Sequence, residues 1–139
     1  MKIRALVCVG IIAAVFAAPA RAADKPEDLA QSAAESWLQL TDAGNAGASW
    51  DQAAKLFKSA VTKEQWTQAL AGVRPPLGKV ISRKVASRQY SEKVPGAPHG
   101  KYVTIQYETV FENKASAVET ITPMLDPDGT WRVSGYFIR

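Results

Sequence analysis

Glu108 and Glu119 are the side chains whose type and spacing come nearest to chemistry in this chain. They fall on the polar side of two consecutive alternating segments, and the register favoured below sets them opposite each other with Tyr136 next in line. Opposed carboxylates repel unless a basic group joins them or one holds a proton. General acid–base catalysis uses that arrangement, and an enzyme working through Glu108 and Glu119 is therefore one alternative. A solvated charge ladder on an exposed sheet face writes the same sequence and is the plainer account. Other chemistries find less support. His99, the single histidine, stands between Pro98 and Gly100 without a His or Cys partner for zinc. Asp126-Pro127-Asp128-Gly129 is acidic, but too short for a calcium loop and without its distal Glu. No glycine-rich loop joins a strand to a helix, and no histidine lies near a serine motif. The chain is thus expected to carry no catalytic residue, metal or cofactor.

Binding is the stronger expectation. Tyr107, Thr120 and Thr122 fall on the apolar side of the strands, with Trp37 on a helix above them. A mainly apolar wall with a few polar groups is the usual form of a small-molecule pocket. Threonine and tyrosine also favour strands for packing reasons alone, and tryptophans fill cores. Arg83, Lys84 and Arg88 form a second candidate, a basic first strand that could dock an acidic envelope partner or simply protect a sheet edge from aggregation.

The first residues belong to a different category. Lys2 and Arg4 precede an apolar run from Ala5 to Ala18, and Pro19-Ala20-Arg21-Ala22 offers small residues at a cleavage site. This is the layout of a secretory signal peptide, residues 1–22, with cleavage after Ala22 or, as second choice, Ala23; the run is too short for a membrane span. Lys2, Arg4 and Arg21 leave with it, so 17 basic residues become 14 against 13 acidic ones, and the basic character of the whole chain gives no argument for nucleic acid. Cys8, the only cysteine, is also in this run, which leaves no disulfide or thiolate nucleophile in the mature chain. A periplasmic or secreted product without stable membrane insertion follows. Residues 23–139 are then a single domain of 117 residues, large enough for one core.

The elements that must position these side chains divide the domain in two. Asp24-Lys25-Pro26-Glu27 reads as a capped helix start, and Leu29, Ala33, Trp37 and Leu40 recur at helical spacing until Gly44. Ser49-Trp50-Asp51-Gln52 and Thr62-Lys63-Glu64-Gln65 repeat the cap signal before the apolar stripes Trp50, Ala53, Ala54, Phe57, Val61 and Trp66, Ala69, Leu70, Val73. Pro75 and Pro76 should end the helical region. An edge strand from Lys79 to Ser91, a Pro/Gly loop over 94–100 and three alternating strands from Tyr102 to the end complete the chain. A two-residue turn at Asn113-Lys114 would set Tyr107 opposite Thr120. A four-residue turn at Asp126–Gly129 would set Val118 opposite Phe137, which avoids placing Glu119 beside Phe137 on the core face. The apolar face then carries Val103, Ile105, Tyr107, Phe111, Val118, Met124, Trp131, Val133 and Phe137. The expected fold is α+β, with about three N-terminal helices packed on one face of a curved four-stranded antiparallel meander.

Several separated motifs carry a resemblance: Arg74-Pro75-Pro76-Leu77-Gly78, Pro95-Gly96-Ala97-Pro98 before Tyr102-Val103, Phe111-Glu112-Asn113-Lys114, Ala117-Val118-Glu119-Thr120, and Asp128-Gly129-Thr130-Trp131-Arg132-Val133-Ser134-Gly135-Tyr136. Together they resemble a bacterial exported family, domain of unknown function 4019, over nearly the whole mature chain. The resemblance implies no activity and no site residues. The order of helices and sheet also resembles cone-shaped domains of the nuclear-transport-factor-2 and cystatin kind.

Overall fold

Pro26 opens the first helix. The computed structural model describes residues 23–139, and the proposed signal segment lies outside them. Helix α1 (Pro26–Asp42) has Lys25 before it in an extended conformation with no side-chain cap, so the expected Asp24 cap does not form. Proline in the first turn lacks one of the N–H groups that a cap would satisfy. The helix stops at a left-handed Gly44 (φ 74°), and α2 (Ala46–Asp51) follows at once with Asn45 as its cap. Ser49, expected to be a cap, lies inside α2 and is fully buried. The stretch expected to be one helix is broken after Asp51, where the Ala54 N–H donates to the Val133 carbonyl of the sheet at 2.8 Å; α3 (Lys55–Ala60) starts beyond the break. There are consequently four helices among the described residues, not three. Helix α4 (Lys63–Leu77) begins at Thr62 with the expected capping box, Gln65 N–H to Thr62 Oγ1 at 3.1 Å and Thr62 N–H to Gln65 Oε1 at 2.9 Å. It runs through Pro75 and Pro76, which stand in its last turn, and closes with Gly78 N–H on the Pro75 carbonyl at 3.2 Å.

The second half is the expected meander: β1 (Val80–Ser91), β2 (Tyr102–Phe111), β3 (Lys114–Leu125) and β4 (Trp131–Ile138), antiparallel in chain order, with β1 and β4 as edges. Helix α1 lies across all four strands. The fold is α+β, and among the described residues no helix is long and apolar enough to cross a membrane.

The register differs from expectation at both turns. A bulge in β3 between Lys114 and Ala117 makes Tyr107 pair with Glu119 instead of Thr120, and the first turn itself, Glu112-Asn113, is one residue earlier than expected. Tertiary bonds hold it there: Glu112 N–H reaches the Lys79 carbonyl, Asn113 N–H the Leu77 carbonyl, and Lys79 N–H the Glu112 carboxylate at 2.7 Å. At the second turn Gly129 N–H closes on Asp126 as expected, but Gly129 is left-handed (φ 81°) and Thr130 is added to the loop, so Trp131 faces Leu125. A left-handed residue after a turn commonly inserts such an extra residue. A bulge at Ser134 shifts the pairing again, and Ile121 faces Tyr136 while Thr120 faces Phe137.

A one-residue slip exchanges the faces of a strand. Val103, Ile105, Tyr107, Phe111 and Val133 are buried as expected, but Ala117, Glu119 and Ile121 replace Val118 and Met124, and Phe137 is 56% exposed. The core beneath the sheet is aromatic. Trp37, Phe57, Trp66 and Tyr136 pack with ring centroids 5.0–6.5 Å apart. Ser49 ties the two indoles together, accepting from Trp66 Nε1 on its hydroxyl and from Trp37 Nε1 on its carbonyl, both at 2.8 Å.

Candidate functional site

Glu119 is fully buried on the helix-facing side of the sheet, the one place where an isolated carboxylate would be most costly. It is not isolated. Arg83 of β1 donates to it through Nε at 2.7 Å and Nη2 at 3.1 Å, Thr109 of β2 through its hydroxyl at 2.6 Å, and Tyr136 of β4 through its phenol. Burial, the Glu119 charge and this hydrogen bond all push the Tyr136 phenol far above its usual range. Each strand contributes one member, so the arrangement exists only when the observed register is in place.

The network continues towards the surface. Arg83 also grips Asp42 at the end of α1, with Nη1 and Nη2 at 2.8 and 3.0 Å from its two oxygens. Burial acts to raise the Asp42 carboxyl, but Arg83 and Arg74 outweigh it and hold the group below the ordinary carboxylate range. Burial likewise opposes the charge on Arg83, and its bonds to Asp42 and Glu119 more than restore it. Arg74 of α4 completes the row, its Nη1 donating to Asp42 at 2.9 Å and more weakly to Thr41 at 3.4 Å. The sequence of charges from the core outward is Glu119, Arg83, Asp42, Arg74, alternating in sign.

Arg74 is 7% exposed, and its guanidinium lies 5.1 Å from the centre of the Phe111 ring. Its two hydrogen bonds to described residues both come from Nη1, and its buried Nε has no partner among them. The residue borders a cleft of about 430 Å³ between the end of α1, α4 and the turn from α4 into β1. Buried Thr41, Ala46 and Leu70 form the cleft's floor with Arg74, and Ala71, Lys79 and Glu112 stand at its rim. That volume is within the range of about 300–1,000 Å³ of small-molecule sites, and a mostly apolar lining with a few fixed polar groups is their usual form. Gly78, also on the cleft, has φ 76° and ψ −161°, and a Cβ there would stand 2.9 Å from Glu112 Cβ. Only glycine suits that backbone.

The residues expected to make a pocket are not brought together. Tyr107 is on the helix-facing side, buried, with burial raising its phenol well above the usual range and no hydrogen-bond partner for its hydroxyl among the described residues. Thr120 and Thr122 are on the opposite side of the sheet, for the slip in register turned them over. Trp37 belongs to the aromatic core, with one side on a second cleft of about 430 Å³ near Trp131 and Arg132. Nor do Arg83, Lys84 and Arg88 form one surface. Arg83 turns inward, Arg88 meets Asp28 of α1 at 2.7 Å, and Lys84 pairs with Glu108 at 3.1 Å on the open side. The Glu108–Glu119 pair is likewise absent, because Glu108 faces Val118 and Glu119 faces Tyr107.

One residue of the observed site had a readable signal. Arg74 follows Trp66 and Leu70 at intervals of four, which puts it on the buried stripe of α4 in place of Val73, 49% exposed. Asp42 carries none beyond standing in the last turn of α1.

The family described as "Protein of unknown function (DUF4019)" matches residues 33–136, and the chain belongs to it. The match includes Asp42, Arg74, Arg83 and Glu119. No curated protein and no solved structure is significantly similar to the chain.

Proposed function

We propose that this member of the DUF4019 family is a non-catalytic binding module that holds a small, mainly apolar ligand in the cleft between α1 and α4. The observation that carries the reading is Arg74, a buried guanidinium with an unpartnered Nε on the border of an apolar cleft. A buried donor without a partner is costly, and a ligand acceptor would remove that cost. Catalysis is the weaker reading, since the carboxylates that suggested it face opposite sides of the sheet.

The reading includes export from a bacterial cell. The basic start, the apolar run and the Ala20-Arg21-Ala22 site support a periplasmic or secreted module, and the order of helices followed by a meander supports assigning it a cone-shaped fold of the nuclear-transport-factor-2 and cystatin kind. N-terminal sequencing of the protein recovered from its host should begin at Ala23 or Asp24; a chain that retains Met1 would contradict export with cleavage.

Native mass spectrometry tests the cleft. Protein purified without organic solvent should retain a small molecule that Ala71→Trp, filling the cleft from an exposed helix position, expels. Ser36→Trp, at the second cleft, should leave it bound. Retention in Ala71→Trp, or loss only in Ser36→Trp, would overturn the assignment.

A further inference from the structure

Resting on that reading of the cleft, we infer that the ligand is an acidic amphiphile, whose carboxylate docks on the Nε–Nη2 edge of Arg74 and whose apolar body lies along Leu70 and Ala46. A guanidinium presents its donors as a planar fork, and a carboxylate matches the edge formed by Nε and one terminal nitrogen with two parallel bonds. In Arg74 the opposite side of the fork is already used, since Nη1 holds Asp42 and Thr41. That contact fixes the plane of the group, and Phe111 backs it at 5.1 Å. The edge carrying Nε is thereby left oriented and without protein partners among the described residues; Nε itself is closed to solvent, so the carboxylate meets Nη2 from the cleft and reaches Nε on a small shift of the side chain. Asp42, which would repel a bound carboxylate if it were single, is shared with Arg83 through both of its oxygens. Lys79 at the rim adds a second positive charge on the same cleft, balanced there by Glu112. The floor offers methyl and methylene groups and the Thr41 hydroxyl, which donates to the Leu38 carbonyl at 2.9 Å. A short aliphatic chain with a terminal carboxylate fits both halves.

The test uses three probes of one length and different heads: octanoate, octanol and octylamine, titrated calorimetrically into the delipidated mature chain. Octanoate should bind at least about tenfold more tightly than either of the others, the difference expected from hydrogen bonds to a charged acceptor. Arg74→Lys, which keeps the charge and removes the fork, should bring octanoate down to the affinity of octanol. Ala71→Trp should abolish binding of every probe. Equal binding of octanoate and octanol, both lost in Ala71→Trp, would overturn the carboxylate inference while the cleft stands. Binding of no probe, or binding indifferent to Ala71→Trp, would overturn the cleft with it. If Arg74→Lys does not fold, the head-group series on the unaltered chain still decides the matter.

Discussion

Arg83 carries a carboxylate on each side, Asp42 outward and Glu119 inward, and the inner one has no access to water. Removing one partner of a buried pair leaves the other charge uncompensated, at a cost of about 3–5 kcal/mol. Arg83→Met should therefore lower the unfolding free energy by about that amount in urea titrations. Lys84→Met, one residue along and paired with Glu108 where both side chains are largely exposed, should change it by no more than about 1 kcal/mol. Similar small losses for both would contradict the buried network. The same groups set the pH limits of stability. Asp42 is depressed in the folded chain, so its contribution is present above the ordinary value of 3.8 and is lost as pH falls through the lower folded value. Tyr136 and Tyr107 are raised, so theirs is present below pH 10.0 and is lost as pH rises beyond it. Stability should be flat between roughly pH 4 and 10 as far as these groups are concerned. Asp42→Asn should shallow the acid slope and Tyr136→Phe the alkaline one; unchanged slopes in chemical denaturation at stepped pH would contradict the assignment.

At the scale of elements, the helices were legible where the signal was local and illegible where it was tertiary. Thr62 and Gln65 announce α4 because a capping box needs only its own four residues. Ser49 shows the same pattern and is no cap, because Trp37 and Trp66 both bond to it from other helices. The strands and their order followed from alternation, but the register did not. Keeping Glu119 off the core face was sound for an unpaired carboxylate and failed because Arg83, Thr109 and Tyr136 converge on it from three strands. A single variant separates the two registers. Phe137 in the core would cost about 3–5 kcal/mol on truncation to alanine. Phe137 as observed, 56% exposed on the open side, should cost less than about 1 kcal/mol, measured by thermal or urea unfolding. Gly78→Ala belongs to the same scale. Its positive φ and the 2.9 Å approach to Glu112 Cβ should make it lose about 1–3 kcal/mol and disturb the α4–β1 corner, seen as a lowered urea midpoint.

Across the whole molecule, the corner where α4 enters β1 is also where the cleft opens, and the charge row from Glu119 to Arg74 links it to the centre of the sheet. The pocket read from the sequence needed Tyr107 and Thr120 on one side; the observed cleft needs none of the residues chosen for that pocket. Its buried cation, Arg74, was visible on the helix stripe, but its partners Thr41 and Asp42 come from α1 and no local pattern joins them. The central claim is that an acidic amphiphile occupies this cleft. Titration of octanoate into the isotopically labelled mature chain, followed by amide chemical shifts, tests it most directly. Octanoate should give saturable shifts centred on Ala43, Gly44, Ala71 and Lys79, with the affinity weakened at least about tenfold in Arg74→Lys and the shifts lost in Ala71→Trp. Shifts centred on Ser36, Thr130 and Arg132 at the second cleft, or no saturable shift at all, would contradict it.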